Sequence, residues 1–147
     1  LHLDVNLRAP FVLSQVMARN LPRAASGSII NIIDQRVENL TPHFMSYTIS
    51  KSALWTITQT LAQALAPAIR VNAISPGPVL PSPRQSLDAF AQQYAATPLE
   101  RAVDTAEICA AARFILAAPS LTGQMITIDS GQHLGWSQAP KSGGPSE

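Results

Sequence analysis

The chain has 147 residues, 46% of them hydrophobic and 13% charged, which suits a globular domain large enough to bury one core. With 10 basic and 9 acidic residues the formal net charge is +1, and no long basic run is present, so nothing in the charge pattern calls for nucleic acid or an anionic membrane. No apolar run approaches the ~20 residues of a membrane span, and the first residues have neither the basic nor the apolar part of a signal peptide, so the expected compartment is the cytoplasm.

Residue 1 is Leu and lies inside an amphipathic pattern, which suggests that a segment upstream has been lost. Leu7, Phe11, Val12 and Val16 recur at helical spacing, predicting a helix over 4–20 that Pro10 should bend or delay. After Gly27, the β-branched run from Ser28 to Ile33 has little alternation and suits a strand buried on both faces of a parallel sheet. Leu54, Ile57, Leu61 and Leu65 mark the longest helix, 44–66, which Pro67 stops. A second strand, 69–74, runs into Ser75, Pro76, Gly77 and Pro78, with Pro81 and Pro83 stiffening the loop beyond.

A short helix is expected over 84–95. Asp104 and Glu107 then have capping-box spacing, with Asp in place of the usual Ser or Thr, ahead of a helical face of Ile108, Ala112, Ile115 and Leu116 that Pro119 ends. Trp55 and Phe114, both in helices, are expected in core or subunit contacts. Cys109 is the single cysteine, which excludes an intramolecular disulfide, and its apolar helical setting predicts a buried small hydrophobe. The last strand is 125–129, and the Gly, Ser and Pro of the final residues suit a disordered tail. His2, His43 and His133 share no ligand spacing with one another or with Cys109, so no metal site is expected.

Helix, strand, helix, strand, helix, strand in that order indicates an α/β fold with a parallel sheet. The doubly wound, Rossmann-like version binds pyrophosphate at a Gly-rich turn opening a helix, and no such turn occurs in the sequence.

Tyr47 and Lys51, four apart in the longest predicted helix, project from one face. An ammonium beside a phenol would lower the phenol's pKa toward the range useful for proton transfer. Alone, Tyr-x-x-x-Lys is a weak motif that a helix can present by chance. Four further segments change its weight: Asp4-Val5-Asn6-Leu7, Ile29-Ile30-Asn31-Ile32, the run from Val71 to Gly77, and the run from Thr122 to Gly131.

In these five segments and their order the chain resembles the short-chain dehydrogenase/reductase family. The resemblance implies residues 1–134 as the C-terminal part of a single NAD(P)-binding domain without its N-terminal Gly-rich half, and 135–147 as the tail. It implies Tyr47 as the general acid and Lys51 as the partner that binds the nicotinamide ribose and lowers the tyrosine pKa. Asn6 would hold a water that passes protons toward the lysine. Pro76 and Gly77 match the cofactor turn, with the backbone of Val79 against the nicotinamide carboxamide. Pro81 stands where the family usually has a threonine that contacts cofactor phosphate. Arg84 is a candidate to reach an anionic substrate, with a solvated helix-start arginine as the plainer reading.

Asp34 occupies the position of the family's usual catalytic serine. An ionised carboxylate accepts hydrogen bonds but donates none, so it cannot reproduce a serine facing a carbonyl oxygen. It could stay protonated in a dry site, or accept from the N–H groups of a nitrogen heterocycle while sharing a proton with Tyr47. The second option is similar to the pteridine-reductase branch, which implies a small-molecule substrate with a pterin or dihydrofolate-like C=N bond and NADPH in preference to NADH. A 3-oxoacyl or sugar-type ketone reductase is the alternative, and a non-catalytic chain that only associates with full-length subunits is another. The long helices 4–20 and 44–66 pack between subunits in relatives, so a homotetramer is expected.

Overall fold

The computed structural model describes residues 1–83 and 85–135. Arg84 and residues 136–147, which include most of the expected tail, lie outside the described residues.

The chain opens with a π-helical turn, Asp4–Arg8, that runs directly into α1, Ala9–Asn20, with Pro10 in its first turn. Proline lacks an N–H, so the widened turn falls where the regular helix would otherwise have to begin, as the sequence expectation of a bend or delay requires. Three strands follow: β1 (Gly27–Ile32), β2 (Ile69–Pro76) and β3 (Met125–Ile128). They form one parallel sheet in the order β1-β2-β3, with Ile32 opposite Ile74 and Pro76 opposite Ile128. The crossovers contain α2 (Met45–Ala64), α3 (Leu87–Ala95) and α4 (Thr105–Ala117).

Alternation along β2 assigns its two faces. Val71 packs with Leu61, Ala62 and Ile69 under α1 and α2, and Ala73 joins Leu54 and Ile33 on the same side. Ile74 points the other way, into Ala111 and Ile115 of α4. The core is therefore a helix–sheet–helix sandwich centred on β2, whose residues from Val71 to Ser75 are all buried. Asn72, wholly buried, donates to the Leu121 carbonyl at 2.8 Å and accepts from Gln124 N–H at 3.1 Å, so its burial leaves neither end of the amide unpaired. Arg70 gives its guanidinium to the carbonyls of Ile115, Leu116 and Leu121, satisfying backbone groups at the negative end of α4.

The expected capping box at Asp104 and Glu107 is present at the start of α4, and Pro67 lies just beyond the end of α2. Other expectations are corrected. Strand β1 is not buried on both faces: it is the outer strand of the described sheet, most of it is half-buried, and Ile32 is 46% exposed. Cys109 is exposed, because the buried stripe of α4 runs through Ala111 and Ile115 and leaves residue 109 on the opposite side. Phe114 is also exposed and so is not a core residue, whereas Trp55 packs against the cluster of Ile33, Leu54 and Ala73. Among the described residues no helix is long and apolar enough to cross a membrane, and no group of three metal-ligating side chains converges.

Candidate active site

In a parallel sheet all strands end on one edge, and ligands bind outside the carboxyl ends. Here that edge gathers Asp34 after β1, Pro76 and Gly77 at the end of β2, and Asp129 after β3.

Asp34 is the cap of a short 3₁₀ turn, Gln35–Val37. One carboxylate oxygen, Oδ1, accepts from the Arg36 N–H at 2.9 Å, and the other, Oδ2, accepts from the Tyr47 hydroxyl at 3.0 Å. Tyr47 comes from the first turn of α2, and the residue before that helix, Phe44, has the left-handed backbone angle φ 56°. For a non-glycine residue that conformation costs on the order of 1 kcal/mol. It is compensated by contact: the Arg36 guanidinium lies 4.8 Å from the Phe44 ring centroid and donates to Thr41 Oγ1 at 3.1 Å, closing the segment between Asp34 and α2.

Lys51, one turn along α2, donates to the Ile32 carbonyl at 2.8 Å, with its ammonium 5.7 Å from the centroid of the Tyr47 ring. The expectation that Lys51 lowers the Tyr47 pKa is not what the structure shows. Burial raises it first, and the Asp34 carboxylate raises it further by its charge and its hydrogen bond. The opposing positive charge is that of Arg36. The geometry gives the reason: Asp34 touches the hydroxyl itself, whereas Lys51 is turned to a strand carbonyl. Lys51 is itself pushed below the ordinary lysine value by burial, partly offset by Asp34.

Asn6, in the π-helical turn, donates to Ser50 Oγ at 3.0 Å, and Ser50, wholly buried, donates to the Tyr47 carbonyl at 2.7 Å. Its side chain thus supports the turn of α2 that carries Tyr47. Asn6 and Lys51 both line a groove of about 460 Å³ along β1, with Leu13, Ile29 and Ile32. Gly77 is glycine for a steric reason: a Cβ there would stand 2.6 Å from Asp129 Cα, so the turn after β2 can meet the segment after β3 only without a side chain. Val79 follows in the same irregular exit, half-buried.

The structure thus joins Asp34 to Tyr47, sets Lys51 one turn away, and places Pro76 and Gly77 on the same edge. Arg36 and Asn39, both engaged in this edge, were missed from sequence. Their nearness to Asp34 in the chain was the available signal for the first, while the partners of the second lie at the far end of the chain. A half-buried phenol bonded to a carboxylate, with an ammonium one helical turn away at the carboxyl edge of a Rossmann-like sheet, is an arrangement that can hold and pass a proton.

A family model described as enoyl-(acyl carrier protein) reductase matches residues 1–133. The chain belongs to the short-chain dehydrogenase/reductase family. It is 40% identical over 134 residues to protein FixR of Bradyrhizobium diazoefficiens, covering 88% of this chain and 48% of that protein. Dihydromonapterin reductase of Citrobacter koseri is 27% identical over 134 residues, with 90% and 56% covered. Among solved structures, FolM alternative dihydrofolate reductase 1 from Brucella suis in complex with NADP superposes with a TM-score of 0.90 at 52% identity, covering 93% of this chain and 56% of that one. The chain spans about half the length of the curated relatives it matches.

Proposed function

We propose that this chain is the C-terminal part of an NADPH-dependent reductase acting on a C=N bond of a pterin or dihydrofolate-like substrate. The observation that carries this reading is the 3.0 Å hydrogen bond from the Tyr47 hydroxyl to Asp34 Oδ2, which puts a carboxylate where a serine donor would serve a ketone. The relatives named dihydromonapterin reductase and alternative dihydrofolate reductase, the latter solved with NADP, support it.

The residues present fit the nicotinamide-ribose end of such a cofactor, because Lys51 offers an ammonium with three donors, of which one meets Ile32, beside a phenol at the carboxyl edge. When bound, the cofactor supplies hydride to the carbon of the reacting bond. The protein's part is to hold a proton for the nitrogen. Burial and Asp34 keep the phenol of Tyr47 protonated, which is the state an acid must be in before turnover. The same carboxylate, facing a pterin, can accept from the ring's N–H groups and fix the ring against the phenol. Asn6 and Ser50 hold the helical turn that aims Tyr47.

The test is steady-state reduction of dihydrofolate by NADPH, using the complete protein that contains this chain. Asp34→Asn keeps the size and removes the charge; kcat should fall by about 10²-fold, the scale of losing a positioned acid–base group. If Asp34→Asn keeps the parent's rate, Asp34 is a structural acid and the pterin reading fails.

The assembly we propose is a homotetramer, and its place the cytoplasm. Support for the first is the apolar surface that α1 and α2 leave exposed, Phe11, Val12, Val16, Met45 and Ile49. Light scattering that shows only monomer at micromolar concentrations would remove the tetramer.

A further inference from the structure

The segment that carries Asp34 is tied down twice more, at a distance from the phenol. The Asn39 side-chain amide donates to the Gly135 carbonyl at 2.8 Å and to the Gln132 carbonyl at 3.3 Å. Glu38 accepts from Thr127 Oγ1 at 2.6 Å, joining the same segment to β3. Two carbonyl oxygens facing one amide leave no choice of orientation: only the NH₂ end can meet both, and an oxygen there would be repelled twice.

The carbonyls that Asn39 reads sit on a rigid support. Asp129, 3% exposed, accepts from the Gly131 N–H at 2.9 Å, from the His133 N–H at 2.6 Å and from the His133 ring at 2.9 Å. These bonds shape the 3₁₀ turn Gln132–Leu134. Asp129 is also the residue against which Gly77 packs. One segment, Asp129 to Gly135, therefore touches the turn after β2 on one side and the Asp34 loop on the other.

We propose that Asn39 is a positioning residue for the Asp34–Tyr47 pair, latching the Asp34 loop onto the segment after β3 so that the carboxylate and the Gly77 turn are held in one frame. Asn39 touches neither the phenol nor the carboxylate; it acts through the backbone of the loop. Its own N–H bonds the Gln35 carbonyl at 3.1 Å, which carries the anchor back to the residue next to Asp34. The inference rests on the reductase reading above for its effect on turnover, and on geometry alone for the latch.

The experiment uses the complete protein with NADPH and dihydrofolate. Asn39→Asp keeps the shape and replaces the one nitrogen that makes both donations with a charged acceptor facing two carbonyls; Asn39→Ala removes both donations without adding charge and serves if the aspartate variant folds poorly. Either should lower kcat by about tenfold while the KM for NADPH stays within about twofold. In an Asp34→Asn background the same change should cost less than about twofold, because a residue that works by placing Asp34 has nothing left to place. Hydrogen exchange of the amides from Gln35 to Asn39 should speed up by about tenfold while α2 stays protected. Unchanged exchange in that segment, or an equal loss of kcat with Asp34 and with Asn at residue 34, overturns the proposal. If the parent itself does not reduce dihydrofolate, the reductase reading is what falls, and the exchange measurement alone decides the latch.

Discussion

The carboxyl edge of the sheet and the flank along β1 and α1 are built to different standards. At the edge, Tyr47 is bonded to Asp34, Gly77 packs against Asp129, and Asn39 ties the Asp34 loop to the segment after β3, while the polar atoms of Asp34 and Asp129 have partners from their own neighbourhood. On the flank, Leu13 of α1 and Ile32 of β1 line a groove and are exposed. The difference teaches that the Asp34–Tyr47 edge is held together by bonds within this stretch of sequence, whereas the apolar flank is surface on which further protein could be laid. The groove passes Lys51, so the two regions meet at the residue proposed to hold the cofactor.

Breaking the chemistry without touching the packing gives the largest expected effect. Tyr47→Phe keeps the ring and removes the hydroxyl that meets Asp34, so in the complete protein kcat should fall by at least about 10²-fold with melting temperature little changed. A rate within twofold of the parent would take the acid role from Tyr47.

Breaking the packing of the same edge comes next. Gly77→Ala adds a Cβ that would sit 2.6 Å from Asp129 Cα and 2.9 Å from its carbonyl oxygen, backbone atoms that cannot swing aside. Overpacking of this kind costs about 1–3 kcal/mol, to be read from urea denaturation. By contrast Val12→Ser, on the flank, should leave the stability of a protomer nearly unaltered, and a loss as large as that of Gly77→Ala would erase the distinction between the two regions.

The smallest effect is in pH dependence. Tyr47 is raised in the folded state by burial and by Asp34, so the folded chain holds this proton more tightly than the unfolded chain. The stability gained is present in full below the unfolded tyrosine value of about 10 and is lost as pH rises beyond it. Ultraviolet titration should show a late phenolate component that Tyr47→Phe removes and that Asp34→Asn moves to lower pH. A component unmoved by Asp34→Asn would leave burial as the sole cause.

Much of this was legible in the residues. The helical spacing of Leu54, Leu61 and their neighbours, the stop at Pro67 and the pair Asp104 and Glu107 are local signals, and their elements lie within a few residues of where the sequence placed them. The interval of 13 residues between Asp34 and Tyr47 became meaningful through the family's pattern, and the structure shows the two side chains in contact. What escaped was non-local. The face of α4 that carries Cys109 depends on which side meets Ile74. The direction of the Tyr47 shift depends on Asp34 lying nearer than Lys51, which the four-residue spacing of Tyr47 and Lys51 could not tell. Asn39 finds its carbonyls 93 and 96 residues further on, a distance across which no periodicity carries information.

The order β1-β2-β3 in the sheet is also the order in the chain. A ribosome therefore makes these three strands in the order in which they lie side by side, and none of the three has to be threaded between the other two. The same order sets a schedule for the edge: Asp34 and Tyr47 are made before the turn Gln132–Leu134 that receives Asn39. Until that turn leaves the exit tunnel, the nascent chain has Tyr47 and Asp34 but not the carbonyls that Asn39 bonds.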